Sequence, residues 1–221
     1  MNRMLSTLTP SSRARLAGTL YLIVVLTGIF SLLYVPSRLF TDDALLQFNR
    51  IREAESLFRW GIAAGIICYL AFTFLPLVLY TIFHQADRSA AVLMVVLALL
   101  SVPISFMNLA HKLQVLDLLH QGQGMSLETG ANAVQLQLQA YDHGIFLLQV
   151  FWGLWLFPFG YLVYRSGLVP RILGILLMLG CLGYLIQVFV PLLYPAYRQW
   201  SMRSLVSLPA SLGEIGTCLW L

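Results

Sequence analysis

The chain has 221 residues, of which 59% are hydrophobic and only 10% charged, and its formal net charge is +4. A mean hydropathy of +0.82 is far from the balance of a soluble domain and excludes that class. The excess positive charge is carried by scattered arginines, with no basic cluster interleaved with aromatics, which excludes a nucleic-acid surface.

Six apolar stretches of roughly 20 residues, each long enough to cross a bilayer, take up most of the sequence. The expected fold is all-α: a polytopic, multi-pass membrane protein forming one six-helix transmembrane domain over 1–221. Its spans are expected near 16–36, 57–83, 90–110, 142–164, 170–190 and 204–221. The first is too long for a secretory signal and lacks a small-x-small cleavage site around Tyr34-Val35-Pro36-Ser37-Arg38, so it reads as an anchor. Behind it, an Asp42 cap and the stripe Leu45, Phe48, Ile51 and Phe58 predict an amphipathic helix lying on the interface, or acting as a lid.

Arg59 opens the second span, and Gly61 and Gly65 form a GxxxG step for close helix contact, within the bundle or between copies. The short turn Gln85-Ala86-Asp87-Arg88 makes helices two and three antiparallel neighbours, and Ser166-Gly167-Leu168-Val169 does the same for four and five. Helix three closes on Asn108, His111 and Lys112. After it, Leu127, Ala131, Val134, Leu138, Tyr141 and Ile145 recur at steps of three and four, so helix four begins in water and runs inward. Prolines at Pro76, Pro103, Pro158 and Pro209 fall inside four spans. They kink membrane helices more often than they build transport sites. The stretches 180–183 and 207–211 add further small surfaces. The last span reaches Leu219-Trp220-Leu221 without a closing Lys or Arg, the pattern of a chain missing a short tail.

Total Lys and Arg counts on the two sides are nearly even. The local contrast of Arg3, Arg13 and Arg15 before the first helix against Arg38 just after it sets the N-terminus and C-terminus in the cytoplasm.

Ionisable side chains at membrane depth need a partner, water or neutralisation, and mark candidate sites. Glu214 lies about ten residues into the last span, near mid-depth, among small neighbours. It suits a proton, a cation or a ligand amine, or else a structural hydrogen bond. A second group gathers on the outer side: Arg59, Asn108, His111, Lys112, Asp142, His143 and Gln187, with Gln149 two turns below Asp142. Asp142 is placed to pair with Arg59 or Lys112. Together these residues would line an outward-facing polar crevice narrowing toward Glu214. The bland alternative is snorkelling and helix capping at the interface.

No cofactor or metal is expected. A haem or metal between His111 and His143 is a minor alternative, because no diagnostic spacing supports it. Cys68, Cys181 and Cys218 read as packing residues. Without a Walker loop, nucleotide fingerprint or Gly-x-Ser-x-Gly elbow, no nucleotide partner is expected. The leading reading is a protein that binds, and in a stronger form translocates, a small or lipidic molecule, with the lipid bilayer as its surroundings. The alternative is an accessory subunit docking onto other membrane subunits or onto itself, and a haem or metal enzyme is third.

The chain also resembles the prokaryotic multi-pass membrane family catalogued as domain of unknown function 4386. The resemblance rests on Arg15-Leu16-Ala17-Gly18 with Tyr21, on Leu57-Phe58-Arg59 with Gly61, and on Tyr161-Leu162-Val163-Tyr164-Arg165-Ser166-Gly167 followed by Pro170-Arg171-Ile172-Leu173-Gly174. Gly183-Tyr184, Pro209, Gly213-Glu214 and Leu219-Trp220-Leu221 continue it. It implies a six-helix protein of the prokaryotic cytoplasmic (inner) membrane, and it puts Arg59, Asp142, His143 and Glu214 in family-like stretches. It implies no activity. The segments Phe157-Pro158-Phe159 and Gln135-Leu136-Gln137-Leu138-Gln139 look particular to this chain.

Overall fold

Lipid offers no hydrogen bonds, so a chain that crosses it must satisfy its backbone internally, and a helix does so along its whole length. The computed structural model describes residues 9–121, 126–194 and 203–221, and among these the regular structure is entirely helical. Arg3 lies outside the described residues. Helix α1 (Pro10–Ile29) passes through a π-helical turn, Phe30–Tyr34, into α2 (Val35–Leu39). There follow α3 (Ala44–Glu53), α4 (Glu55–Phe83), α5 (Arg88–Gln121), α6 (Leu127–Leu154), α7 (Leu156–Ser166), α8 (Arg171–Leu193) and α9 (Arg203–Trp220).

Among the described residues, five segments are long and apolar enough to cross a membrane: Ser11–Leu39, Glu55–Phe83, Arg88–His120, Leu127–Ser166 and Arg171–Leu193. Their outer faces carry exposed Leu22, Leu26, Ile67, Leu70, Leu93, Leu100, Leu179 and Phe189. An apolar surface of this extent suits lipid, not water. The expected sixth span, α9, has 18 residues and stands outside that set, because Arg203, Glu214 and its serines dilute its apolar content.

Two helices outrun their expected spans. Helix α5 has 34 residues, about 51 Å at 1.5 Å per residue, where the hydropathy pattern stopped at 110. The sequence has no glycine or proline between Pro103 and Gly122 to end it. Helix α6 begins at Leu127, where Ser126 Oγ accepts the Thr129 N–H at 3.2 Å. Of its expected stripe, Ala131, Val134, Leu138 and Tyr141 are buried, Ile145 is half-buried, and Leu127, the first helical residue, is exposed. Pro158 does not divide the fourth span at its own position. It lacks the N–H that Leu154 O would receive, and the break falls at Trp155, between α6 and α7.

The packing divides the chain into two units. One comprises Met1–Leu22, Ala71–Val102 and Phe146–Leu221. Its core is aromatic: Trp155 stacks on Phe159 at 5.2 Å between centroids, Phe72 meets Trp155 edge-on at 5.2 Å, and Phe83 meets Phe159 at 6.0 Å. Such pairs add about 0.5–1.5 kcal/mol each beyond the area they bury. Glycines let α8 approach its neighbours. A Cβ on Gly160 would collide with Gly174 O on α8, and one on Gly180 would meet Ala210 Cα of α9 at 2.7 Å. At the short turns, Asp87 caps α5 through the Ala90 N–H (3.0 Å) and pairs with Arg165 (2.8 Å), which also donates to Tyr161 Oη (2.6 Å). Gly167, at φ 65°, closes α7 in the left-handed conformation.

The second unit comprises Ile23–Leu70 and Pro103–Ile145. Here the GxxxG step serves a contact within the chain: a Cβ on Gly61 would meet Val35 at 3.0 Å, and one on Gly65 would meet Ser31 Oγ at 3.1 Å. Helix α3 forms where expected, with Phe48 and Ile51 buried and Phe58 buried beyond it. Its cap, however, is Asp43, whose Oδ1 accepts the Leu46 N–H at 2.9 Å, because Asp43 immediately precedes the first helical residue. Leu45 stands outside the buried stripe at 43% exposure, and Gln47 occupies it instead.

Gly160→Ala is expected to lower stability by roughly 1–3 kcal/mol, read as a drop in the unfolding midpoint in detergent. Gly28→Ala should be neutral or mildly stabilising, since its Cβ would meet only Cys68 Sγ at 3.6 Å. Equal effects of the two would contradict the packing described.

Candidate functional site

The site begins with a backbone carbonyl left without a partner. In the π-helical turn the Val35 N–H bonds to Phe30 O in place of Ser31 O. The residue one further on is Pro36, which has no N–H to give. Ser31 O is therefore free to accept from a side chain, and Lys112 Nζ approaches it at 3.4 Å. π-helical turns of this kind recur at functional sites.

Lys112 is 1% exposed and sits one turn beyond Asn108 on α5. Its Nζ lies 4.1 Å from the centroid of the Tyr141 ring on α6. Asn108 fixes that ring's backbone by donating from Nδ2 to Tyr141 O at 3.0 Å. Gly144 makes the approach possible, since a Cβ there would collide with the Asn108 side chain. The hydroxyls of Tyr69 and Ser105, both buried, approach each other, and that of Tyr141 comes close to Tyr69.

Magnitudes show what this cluster still needs. Burying an ammonium costs several kcal/mol. A desolvated cation–π contact returns about 2 kcal/mol, and a charged hydrogen bond of ideal length about 1.5–3 kcal/mol. At 3.4 Å the Ser31 bond is longer than ideal. Asp142 offsets part of the remainder, attracting Lys112 through space without forming a direct ion pair. His143, next to it, acts on the same carboxylate.

Asp142 is exposed, and it lines a crevice of about 250 Å³ with Phe40, Thr41, Asp42, Gln47, Gln135, Leu138 and Gln139. Gln135, Leu138, Gln139 and Asp142 recur at three- and four-residue steps, so one face of α6 supplies half the wall. The Gln47 side-chain carbonyl accepts from Thr41 N at 3.2 Å, and Gln135 donates to Asp42 O at 3.0 Å. That leaves the amide NH₂ of Gln47 and the amide oxygen of Gln135 available to a ligand.

The other expected site residues fall as follows. Arg59 is not paired with Asp142: its Nε bonds Glu55 Oε1 at 2.6 Å, one turn earlier on the same helix, and His120 Nε2 lies 3.1 Å from both partners. His111 Nδ1 is 2.8 Å from Gln137 Oε1. Gln149, Gln187 and Glu214 belong to the first unit. Among the described residues no group of three or more His, Cys, Asp or Glu is placed to hold a metal, and Cys68, Cys181 and Cys218 are free and buried. Sequence reasoning missed Ser31, Tyr69, Ser105 and Tyr141. The Gln-rich run 135–139 was the visible signal for the crevice wall.

Replacing a buried charge by an apolar side chain of similar length is often neutral or stabilising, whereas stripping its partners is not. Lys112→Met is therefore expected to keep or raise the unfolding midpoint. Tyr141→Leu should lose roughly 3 kcal/mol or more. Equal losses from the two variants would contradict this assignment of Lys112.

Comparison with known families matches residues 16–221 to the family described as Domain of unknown function (DUF4386). Neither the curated proteins nor the solved structures give a match. A match over this much of the chain, on a helical scaffold with membrane-spanning segments, shows that the protein belongs to that family.

Proposed function

We propose that the protein binds a small or lipidic molecule in the crevice beside Asp142, opening to the outer face of a prokaryotic cytoplasmic membrane. The observation that carries this is the crevice wall itself. It offers carboxylates at Asp42 and Asp142, amides at Gln47, Gln135 and Gln139, and apolar surface at Phe40 and Leu138, with no basic side chain among the described residues that line it. Such a wall complements a ligand that brings hydroxyl or amine donors on one side and a hydrocarbon part on the other. Lys112, behind Asp142, acts as a positioning residue that holds the carboxylate in place.

The membrane arrangement belongs to the same proposal. Helix α9 forms the sixth span, supported by its exposed row Leu208, Leu212, Ile215 and Leu219 at three- and four-residue steps. Helix α3 lies in the interface, with Phe48 and Ile51 turned inward and Arg50 and Arg52 in its last turn. The N-terminus is cytoplasmic. Gly61 and Gly65 contact Val35 and Ser31 of the same chain, which favours ligand binding over an accessory-subunit role that would use that step for docking.

Native mass spectrometry of the chain, extracted from its own membrane in mild detergent, checks the proposal. The expected spectrum shows the 24.8 kDa chain carrying an added mass of a few hundred daltons at fixed stoichiometry. Asp142→Asn or Gln139→Ala should reduce that bound fraction at least several-fold. A bare chain, or an added mass indifferent to both substitutions, would contradict the assignment.

A further inference from the structure

The first unit holds a second group of polar side chains, separate in sequence from the crevice. Helix α9 presents Glu214, Thr217 and Cys218 on one face, three and four residues apart. That face is seated on α1: Cys218 Sγ lies 3.9 Å from Gly18 O, and a Cβ on Gly18 would meet Leu221. Tyr21, one turn past Gly18, interacts electrostatically with Glu214, Tyr184 and Cys218, and Tyr184 of α8 interacts with Glu214. Tyr21 is 2% exposed and Thr217 is fully buried, yet neither hydroxyl has a hydrogen-bond partner. Buried hydroxyls are almost always satisfied, so these two orphans, one of them on Tyr21 facing the Glu214 charge and the other one turn from Glu214 on its own helix, call for a missing occupant.

We propose that Glu214, Tyr21, Tyr184 and Thr217 form a binding site for a monovalent alkali-metal cation. The donor set is all oxygen, which suits a hard cation. Charge selects the valence. Among the described residues, the titratable groups that act on this cluster are Tyr21, Tyr184, Glu214 and Cys218, with no basic side chain among them. One positive charge neutralises Glu214, whereas a divalent ion would leave net charge in an apolar setting, a costly arrangement. The ion takes the Glu214 carboxylate and gives the Tyr21 and Thr217 hydroxyl oxygens an electrostatic partner.

The test uses the purified full chain in detergent, with Na⁺ as the probe and choline replacing it at constant ionic strength. A ligand that binds only the folded state raises the unfolding midpoint saturably. Na⁺ is expected to do so, with protons competing, so the rise diminishes as pH is lowered. Glu214→Gln should weaken apparent Na⁺ affinity at least tenfold. Tyr21→Phe, which removes only a hydroxyl, should weaken it several-fold and serves if Glu214→Gln fails to fold. No Na⁺ response, an equal response in Tyr21→Phe and wild type, or a response to pH without one to Na⁺ would overturn the proposal.

Discussion

An ammonium group buried in protein must be compensated by the protein, and the second unit is arranged around meeting that demand for Lys112. The free Ser31 carbonyl arises from chain chemistry: a π-helical turn diverts the Val35 N–H to Phe30, and Pro36 has none to offer. The first helix can bring that carbonyl close because Gly65 and Gly61 face Ser31 and Val35. On the other side, Gly144 admits Asn108, Asn108 holds the Tyr141 backbone, and the Tyr141 ring receives the charge. Gly65 and Gly144 each let a polar side chain approach, Ser31 and Asn108 respectively.

The same buried charge links scaffold to surface. Asp142 follows Tyr141 directly, so the residue that receives the ammonium and the residue that faces the crevice are neighbours on one helix. A mobile carboxylate on an exposed helix face would lose rotamer freedom on meeting a ligand. Attraction to a fixed cation behind it reduces that cost. The first unit relies on different physics, with an aromatic core of Phe72, Phe83, Trp155 and Phe159 and helix contacts set by glycine. Its polar turn, Asp87 to Arg165, ties the two short connections together.

Hydropathy made the apolar helices legible, because the cost of placing polar backbone and side chains in lipid leaves few sequence solutions. The three- and four-residue spacing likewise made the buried stripe from Ala131 to Tyr141 legible. Helix ends were less legible, since nothing in an apolar count says that α5 continues to Gln121 or that Asp43 rather than Asp42 caps α3. The site residues were half legible. Lys112 and Asp142 stood out as ionisable groups at the outer helix ends that could attract each other, but Ser31 and Tyr141 did not stand out as partners of Lys112. A serine carbonyl is silent in sequence, and a tyrosine at a buried stripe position reads as core. Of the two partners expected for Asp142, Arg59 is taken by Glu55, one turn earlier on its own helix, which needs no tertiary contact. The segment 161–174 carries turn and packing roles: the Arg165 pair, the Gly167 cap and the close approach at Gly174.

The most direct test is an experimental density map of the chain in its native lipids, sharp enough to place the Lys112 side chain and the backbone at 30–36. The expected result is an unbroken π-helical turn with Nζ near 3.4 Å from Ser31 O and over the Tyr141 ring. A Ser31 carbonyl bonded by Val35 in a regular α-helix, with Nζ extended into solvent or lipid headgroups, would contradict it.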